Sequence, residues 1–447
     1  MINTTDKFVS HICAIIKQKF DDAVISQIKT CLVDYLGALM AGAKIAQFKN
    51  EKLVALFGED GKSSLFGYNK KTSLLDAALI NGISAHTAEL DDGVISAIIH
   101  PGAPVFTALL LVAEKENVSW EDFCRGVVIG YEVSCRIANA IQPTHKAMGY
   151  HASGTCGTIG VAMGIAAMLH YSENEMKNTL SCAMASSHGT LKVLEDASEL
   201  KPFNVGSAVV NGIIAANMAK ANYIGADDPF EGKAGFFAQM TSEVKYDELF
   251  KTDKLMIEDA YFKPYASCRY THPAIECALQ IRKEVGFDFR KVQSIVVDTY
   301  ALAVKHHDHV DIPNMSSAKM SIPFATAVVF ATGCAGANSF TDEYVFNEKV
   351  IELVHKIKVN PNDEYNKQFP KKSIASMVVT MDDGKVYKAY DDTPKGEPSN
   401  QMTSDEMKQK FLSSFAFANR SEENANELLN EIFSVNPNLN NIISYIR

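Results

Sequence analysis

Four stretches of the sequence gather polar, titratable and small residues inside otherwise apolar surroundings. The first runs Asn81-Gly-Ile-Ser-Ala-His-Thr-Ala-Glu-Leu-Asp-Asp-Gly and is followed by His100-Pro-Gly-Ala-Pro. It sets Glu89, Asp91 and Asp92 where a helix is expected to end. Carboxylates there face the negative end of the helix dipole, so a cation or hydrogen bonds must compensate. A solvated helix end is the plain alternative. The second is Gly149-Tyr-His151-Ala-Ser-Gly-Thr-Cys-Gly-Thr-Ile-Gly. Backbone N–H groups at such a helix opening can hold a carboxylate or phosphate. A capped helix with close-packing glycines would look the same, and the spacing matches neither the dinucleotide fingerprint nor a P-loop. In the third, Glu199-Leu-Lys201-Pro-Phe-Asn204-Val-Gly206, Lys201 stands just before a helix start. There it can pair with a substrate carboxylate or transfer a proton, where an ordinary lysine would only face solvent. The fourth, Phe262-Lys263-Pro-Tyr265-Ala-Ser-Cys268-Arg269-Tyr270-Thr-His272-Pro, lies at an expected domain junction, where clefts form. Cys268 has no base and orienting partner visible in the sequence, which argues against a nucleophile.

Together these groups suit an anionic substrate that loses a C–H proton beside a carboxylate. Cations would bind the carboxylates and stabilise an enolate-like intermediate. A histidine or lysine would take the proton, and a second acid would protonate the leaving group. The run Lys305-His306-His307-Asp308-His309 looks at first like a metal site. It lacks the i, i+4 helical pairing of a zinc protease, and its loop-like context predicts a solvated run instead, so no metal is expected.

Elements of known kind must position these residues. The chain has 447 residues, 47% apolar and 21% charged, enough for two or three domains and a large core. With 43 Lys and Arg against 53 Asp and Glu, the net charge is -10, and no basic stripe offsets it, which argues against nucleic acid. Apolar stretches such as 103–113 fall short of the roughly 20 residues that a bilayer span requires. The opening Met-Ile-Asn-Thr-Thr-Asp-Lys lacks the features of a signal peptide. Nine cysteines without zinc-type spacing read as reduced thiols of a cytoplasmic protein.

Helical periodicity dominates the first 260 residues or so. Helices are expected over 8–16, 24–40, 73–86, 103–116, 120–141, 158–169 and 205–221, with Ser119 opening the fifth and Ser172 opening a further one. Few have a strongly polar face, which predicts a layered bundle with central helices buried all round. After Tyr261 the pattern changes. Strands are expected at 292–300, 374–381 and 385–390, the last two joined by the hairpin signal Asp382-Asp383-Gly384. Helices are expected around 272–285 and 321–331, and again at 404–417 and 421–433. The fold class is therefore mainly α: a helical domain from 1–262 and 398–447, with an α+β domain at 263–397 between its parts.

The sequence resembles the MmgE/PrpD family over nearly its whole length. The likeness rests on 81–92 with His100-Pro-Gly, on Gly130-Tyr131-Glu132 leading to Arg136-Ile-Ala, and on His151 with its Gly/Thr run. It rests also on Lys201-Pro, on Ile224-Gly225 with Glu231-Gly-Lys-Ala-Gly-Phe, and on the Lys263–Pro273 block, the most specific of all. The resemblance implies a large helical domain built from both chain ends, a smaller α+β lid, a homodimer and no metal or organic cofactor. Members include 2-methylcitrate dehydratases, cis-aconitate decarboxylases and an iminodisuccinate epimerase, all acting on small polycarboxylates. Carried over by position, the acidic residues fall on Glu89, Asp91 and Asp92, with His100, His151, Lys201 and His272 at further pocket positions. Lys263, Tyr265 and Arg269 lie in the matching junction block. His100 and Lys201 are then the expected acid/base pair, and Asp91 belongs with them. His151 and His272 would bind or protonate carboxylates, and Lys263 and Arg269 would counter substrate charge.

Three positions depart from the family pattern. Gly93 stands where decarboxylase-like members have threonine, Phe324 where they have a pocket tyrosine, and Asn204 where many members have histidine. Each change removes a hydroxyl or imidazole, which makes cis-aconitate decarboxylation the least supported of the three reactions. The reading reached is a cofactor-independent, dehydratase-type lyase acting on a small di- or tricarboxylate. An epimerase of an amino- or imino-dicarboxylate is the alternative, and a non-enzymatic binding protein is a further one.

Overall fold

Side-chain caps start many of the helices. The computed structural model, which describes residues 3–194 and 197–447, has α1 (Thr4–Ile16), α2 (Asp22–Phe57), α3 (Leu74–Thr87), α4 (Gly102–Glu116) and α5 (Trp120–Ile141) in its first part. They are followed by α6 (Ala152–Met168), α7 (Glu173–Ser186) and α8 (Lys201–Lys220). Asn3, Asp21, Ser73, Ser119 and Ser172 cap α1, α2, α3, α5 and α7, each accepting from the backbone N–H three residues on. Ser172 and Glu175 complete a reciprocal capping box. At Ser119 the shorter Asp122 bonds the serine hydroxyl at 2.7 Å instead. By contrast α4, α6 and α8 start at Pro101, His151 and Leu200 without any side-chain cap. Those three starts are where the candidate site lies.

The chain divides into two compact units. The first comprises Met1–Leu191, Leu200–Tyr261 and Met407–Arg447, and the second Lys192–Glu199 with Phe262–Glu406. Relative to the sequence expectation, 192–199 and 398–406 group with the second unit. In the first, every residue of α6 is buried, as its Ala/Gly-rich sequence predicts. Glycines let it meet α5 closely: a Cβ on Gly160 would lie 2.6 Å from the Gly130 carbonyl oxygen. Fully buried Val105, Phe106, Leu109, Leu110 and Leu111 line α4. Each such side chain contributes about 1.5–3 kcal/mol by leaving water. Helix α2 runs well past the expected 24–40. It is long and apolar enough to cross a membrane by length and composition alone, but 67% of its most apolar window is buried inside the protein. It also buries Asp34 and Asn50, which mark it as a core helix. A short hairpin pairs β1 (Ser63–Leu65) with β2 (Lys70–Thr72).

In the second unit, β3 (Val292–Thr299), β4 (Ile357–Pro361), β5 (Ala375–Met381) and β6 (Val386–Asp391) form a sheet of order β4-β3-β5-β6. The β3–β4 pair is parallel and the others antiparallel. The β5–β6 hairpin turns at the predicted place, with Gly384 at φ 84°. Strand β4 was not legible: it is short, lies at an edge, has only Ile357 and Val359 as strand-type apolar residues and ends in proline, all marks of an edge strand. Ile295, Val297, Met377 and Val379 are buried, and α9 (His272–Arg282) packs on β5, β6 and α10 (Ile322–Thr332). Near the C-terminus, α11 (Ser404–Phe417), α12 (Glu422–Phe433) and α13 (Leu439–Ile446) follow, all belonging to the first unit from Met407 on.

Candidate active site

Helix α3 ends at Thr87, and the chain then turns through Glu89, whose φ is +54°. That left-handed residue reverses the backbone so that Glu89, Asp91 and His86 meet. His86 is fully buried at the helix end, with Nδ1 2.7 Å from Asp91 Oδ2 and Nε2 4.0 Å from Glu89 Oε1. Among the described residues, His86 Nε2 has no hydrogen-bond partner although it is buried. Its ring centre lies 5.2 Å from that of His100 and 5.7 Å from that of His151.

Hydrogen bonds assign the two outer imidazoles opposite tautomers. His100 Nδ1 is 2.6 Å from the carbonyl oxygen of Asp92, which can only accept. Nδ1 therefore carries the hydrogen and Nε2 the lone pair. The His100 backbone N–H donates to Ser153 Oγ at 3.0 Å, tying this loop to the start of α6. His151 Nδ1 lies 3.2 Å from the Asn204 side-chain nitrogen, a donor that also reaches the Thr190 carbonyl oxygen at 3.1 Å. Nδ1 accepts there, and Nε2 carries the hydrogen. Burial, with the nearby His86, Lys201 and His100, holds His151 well below the ordinary histidine range, so it is neutral at pH 7. Lys201, the first residue of α8, donates to Glu89 Oε1. One group has its lone pair available by tautomer, one has an N–H, and one is an ammonium beside a carboxylate.

Asp92 faces inward rather than joining them. Its Oδ1 accepts from Gly102 N–H at 3.0 Å and its Oδ2 from the Tyr131 hydroxyl. Burial, with Asp34 nearby, pushes Asp92 up to about 7. Its contacts make it a brace for the start of α4. A second brace comes from far along the chain: Lys410 on α11 donates to Asp34 and, at 2.7 Å, to the carbonyl oxygen of Leu90. Gly93 forms a two-way backbone bridge with Tyr261, at 3.1 and 2.8 Å. A Cβ at Gly93 would stand 2.6 Å from the Tyr261 hydroxyl oxygen. The hydroxyl that a threonine would bring at this position is thus replaced, in space, by that of Tyr261.

The first unit therefore brings together Glu89, Asp91, His100, His151 and Lys201 from three separate stretches, with His86 among them. Lys263, Tyr265, Arg269 and His272 belong to the second unit, as does Phe324. There Tyr265 donates to Glu276 at 2.8 Å and its ring lies edge-on to His272 at 5.1 Å. His272 Nε2 is 3.2 Å from the Ser267 carbonyl oxygen. Arg269 donates to Glu397 within this unit. Lys263 is fully buried, and so is Phe324, beside Phe340. The Lys305–His309 run departs from expectation in part. Lys305, His306 and Asp308 are exposed, as a solvated run requires, but His307 is buried and His309 bonds Ser317. Among the described residues, no group of three or more His, Cys, Asp or Glu is placed to hold a metal ion.

Sequence reasoning did not single out His86, Tyr131, Asp34, Lys410 or Tyr261. His86 was within reach, since a histidine in the last turn of a helix compensates the carboxylates that follow. Lys410 lies 376 residues from its partner Asp34 and gives no local signal.

Comparison with known proteins gives the family. A model of the MmgE/PrpD N-terminal domain matches residues 6–249, and one of the MmgE/PrpD C-terminal domain matches residues 265–433. The chain is 23% identical to the cis-aconitate decarboxylase of Homo sapiens over 423 residues, 91% of this chain and 86% of that protein. It is 23% identical to the Mus musculus protein of the same name over 426 residues, 92% of this chain and 86% of that one. A cis-aconitate decarboxylase-like protein of Aspergillus oryzae, oryM, is 24% identical over 229 residues, 49% of this chain and 47% of its own. Two domain models that together span most of the sequence make the chain a member of the MmgE/PrpD family.

Proposed function

We propose that this protein is a cofactor-independent lyase of dehydratase type that acts on a small di- or tricarboxylate. The observation that carries this reading is the meeting of His100, His151 and Lys201 at the starts of α4, α6 and α8, none of which has a side-chain cap. Helix N-termini favour anions, and three of them beside a lysine suit the carboxylates of such a substrate. His100 Nε2 takes the proton from the carbon beside a carboxylate. The His151 N–H and the Lys201 ammonium steady the negative charge that develops. Lys201, held by Glu89, gives a proton to the departing hydroxyl, which leaves as water. His86, fully buried with Nδ1 on Asp91, holds that carboxylate in place beside them.

Decarboxylation of a tricarboxylate is a second reading, favoured by the names of the relatives and by the Tyr261 hydroxyl at the Gly93 position. It uses the same groups, with carbon dioxide as the leaving group and a proton returned to carbon. Proton NMR in heavy water separates the readings. The panel is citrate, 2-methylcitrate, cis-aconitate, malate, aspartate and tartrate. Vinylic signals that appear from a hydroxy acid support the dehydratase. Loss of a carboxylate from cis-aconitate supports the decarboxylase. Deuterium entering a substrate carbon without net conversion would replace both with an epimerase. Silence from the whole panel would refute the substrate class.

A further inference from the structure

Two sequence features that the proposed reaction does not use meet in the second unit. Cys268 Sγ lies 3.3 Å from His307 Nε2. The other ring nitrogen, His307 Nδ1, is 2.7 Å from the carbonyl oxygen of Lys305. A carbonyl oxygen only accepts, so Nδ1 carries the hydrogen and the Nε2 lone pair points at the thiol. The Tyr270 ring stands edge-on to the imidazole, 5.2 Å between centres, and limits its rotation. His307 is buried, whereas Cys268 is partly exposed, so the base is sheltered and the sulfur is reachable. The other titratable groups around the pair are Lys305, His306, Asp308 and His309 on the His307 segment, the buried Tyr270 and Tyr300, Arg269, bonded to Glu397, and Lys319, whose backbone carbonyl accepts from the Cys268 N–H at 2.9 Å.

We propose that Cys268 and His307 form a thiol–imidazole pair that makes Cys268 a modification site for soft carbon electrophiles, independent of the polycarboxylate chemistry. The thiol proton passes to His307 Nε2. The sulfur then attacks the electrophilic carbon, the S–C bond forms as the leaving group departs with its electron pair, and the imidazolium releases its proton to water. This is the nucleophile, base and orienting acceptor arrangement of activated thiols, with a backbone carbonyl as the orienter.

Exposure alone predicts another order of reactivity. Cys334 is the exposed cysteine, with Cys268, Cys13 and Cys182 less open. An ordinary thiol is only a few per cent thiolate at pH 7. A paired thiol gains about tenfold or more in thiolate there, and loses part of that gain because a weaker base is a weaker nucleophile.

The test is timed labelling of the full chain with iodoacetamide from pH 6 to 9, read peptide by peptide by mass spectrometry. Cys268 is expected to reach half its maximal rate about one pH unit or more below Cys334, and to label several-fold faster than Cys334 at pH 6.5. His307→Asn should move the Cys268 profile up to that of Cys334. If the two cysteines share one pH profile in the unaltered protein, the pair does not activate the thiol and the proposal fails. That comparison needs no variant, so it stands even if His307→Asn does not fold.

Discussion

Replacing Asp92 by asparagine should make the protein more stable at neutral and alkaline pH, although it removes a charge from a candidate active site. Asp92 is buried and its carboxyl is raised from an ordinary value of 3.8 to about 7. Between those limits the folded protein holds a proton on Asp92 that the unfolded chain has released. Stability from this group is therefore complete below about pH 4, falls as pH rises, and levels off above about 7. At 1.36 kcal/mol per pH unit over about three units, the loss comes to about 4 kcal/mol. Asparagine resembles the neutral acid. Its oxygen keeps the Gly102 bond, and the Tyr131 hydroxyl can rotate to accept from its amide. Urea denaturation of both proteins from pH 4 to 8.5 gives the difference directly. The two should agree near pH 4 and diverge in favour of Asp92→Asn by up to about 4 kcal/mol at pH 8. A flat difference across this range would mean that the Tyr131 and Gly102 bonds hold the ionised carboxylate well, and the reasoning would be refuted.

Lys410→Met should cost about 3–5 kcal/mol in urea denaturation, because it strands the buried Asp34 carboxylate, and the double variant with Asp34→Asn should recover most of the loss. Asn204→Ala removes the donor that fixes the His151 tautomer. It should lower kcat by up to about a hundredfold on whichever acid the NMR panel identifies, with the thermal midpoint little changed. Gly93→Thr should lower stability by about 1–3 kcal/mol by driving a side chain into Tyr261, and adding Tyr261→Ala should relieve it; an unchanged urea midpoint for the single variant would contradict the observed packing.

Local chemistry made much of this protein legible. Ser119 and Ser172 marked helix starts because a capping hydroxyl acts over three residues. The β5–β6 hairpin was readable because its turn needs the positive φ that Gly384 adopts. The stretches around Glu89, His151 and Lys201 were visible as polar residues in apolar surroundings. What joins them was not visible. That His100 and His151 hold opposite tautomers depends on a carbonyl at Asp92 and an amide at Asn204, and only the fold sets those distances. Asn204 had read as a lost imidazole, and it proves to orient a retained one. His307 had read as part of a solvated run because nothing near it in sequence announces Cys268, 39 residues away.

The brace from Lys410 also orders events in time. During synthesis, α2 and the loop that carries Glu89 and Asp91 leave the ribosome long before residue 410, and 376 residues separate Lys410 from Asp34. Until α11 arrives, Asp34 and the Leu90 carbonyl lack the ammonium that holds them in the finished protein. Both segments of the second unit, Lys192–Glu199 and Phe262–Glu406, lie between them in sequence and are synthesised before Lys410. Contacts closed over so long a loop form late. The nascent chain therefore carries its candidate acid–base groups in an unbraced loop for most of its synthesis, and acquires the complete support beneath them near its end.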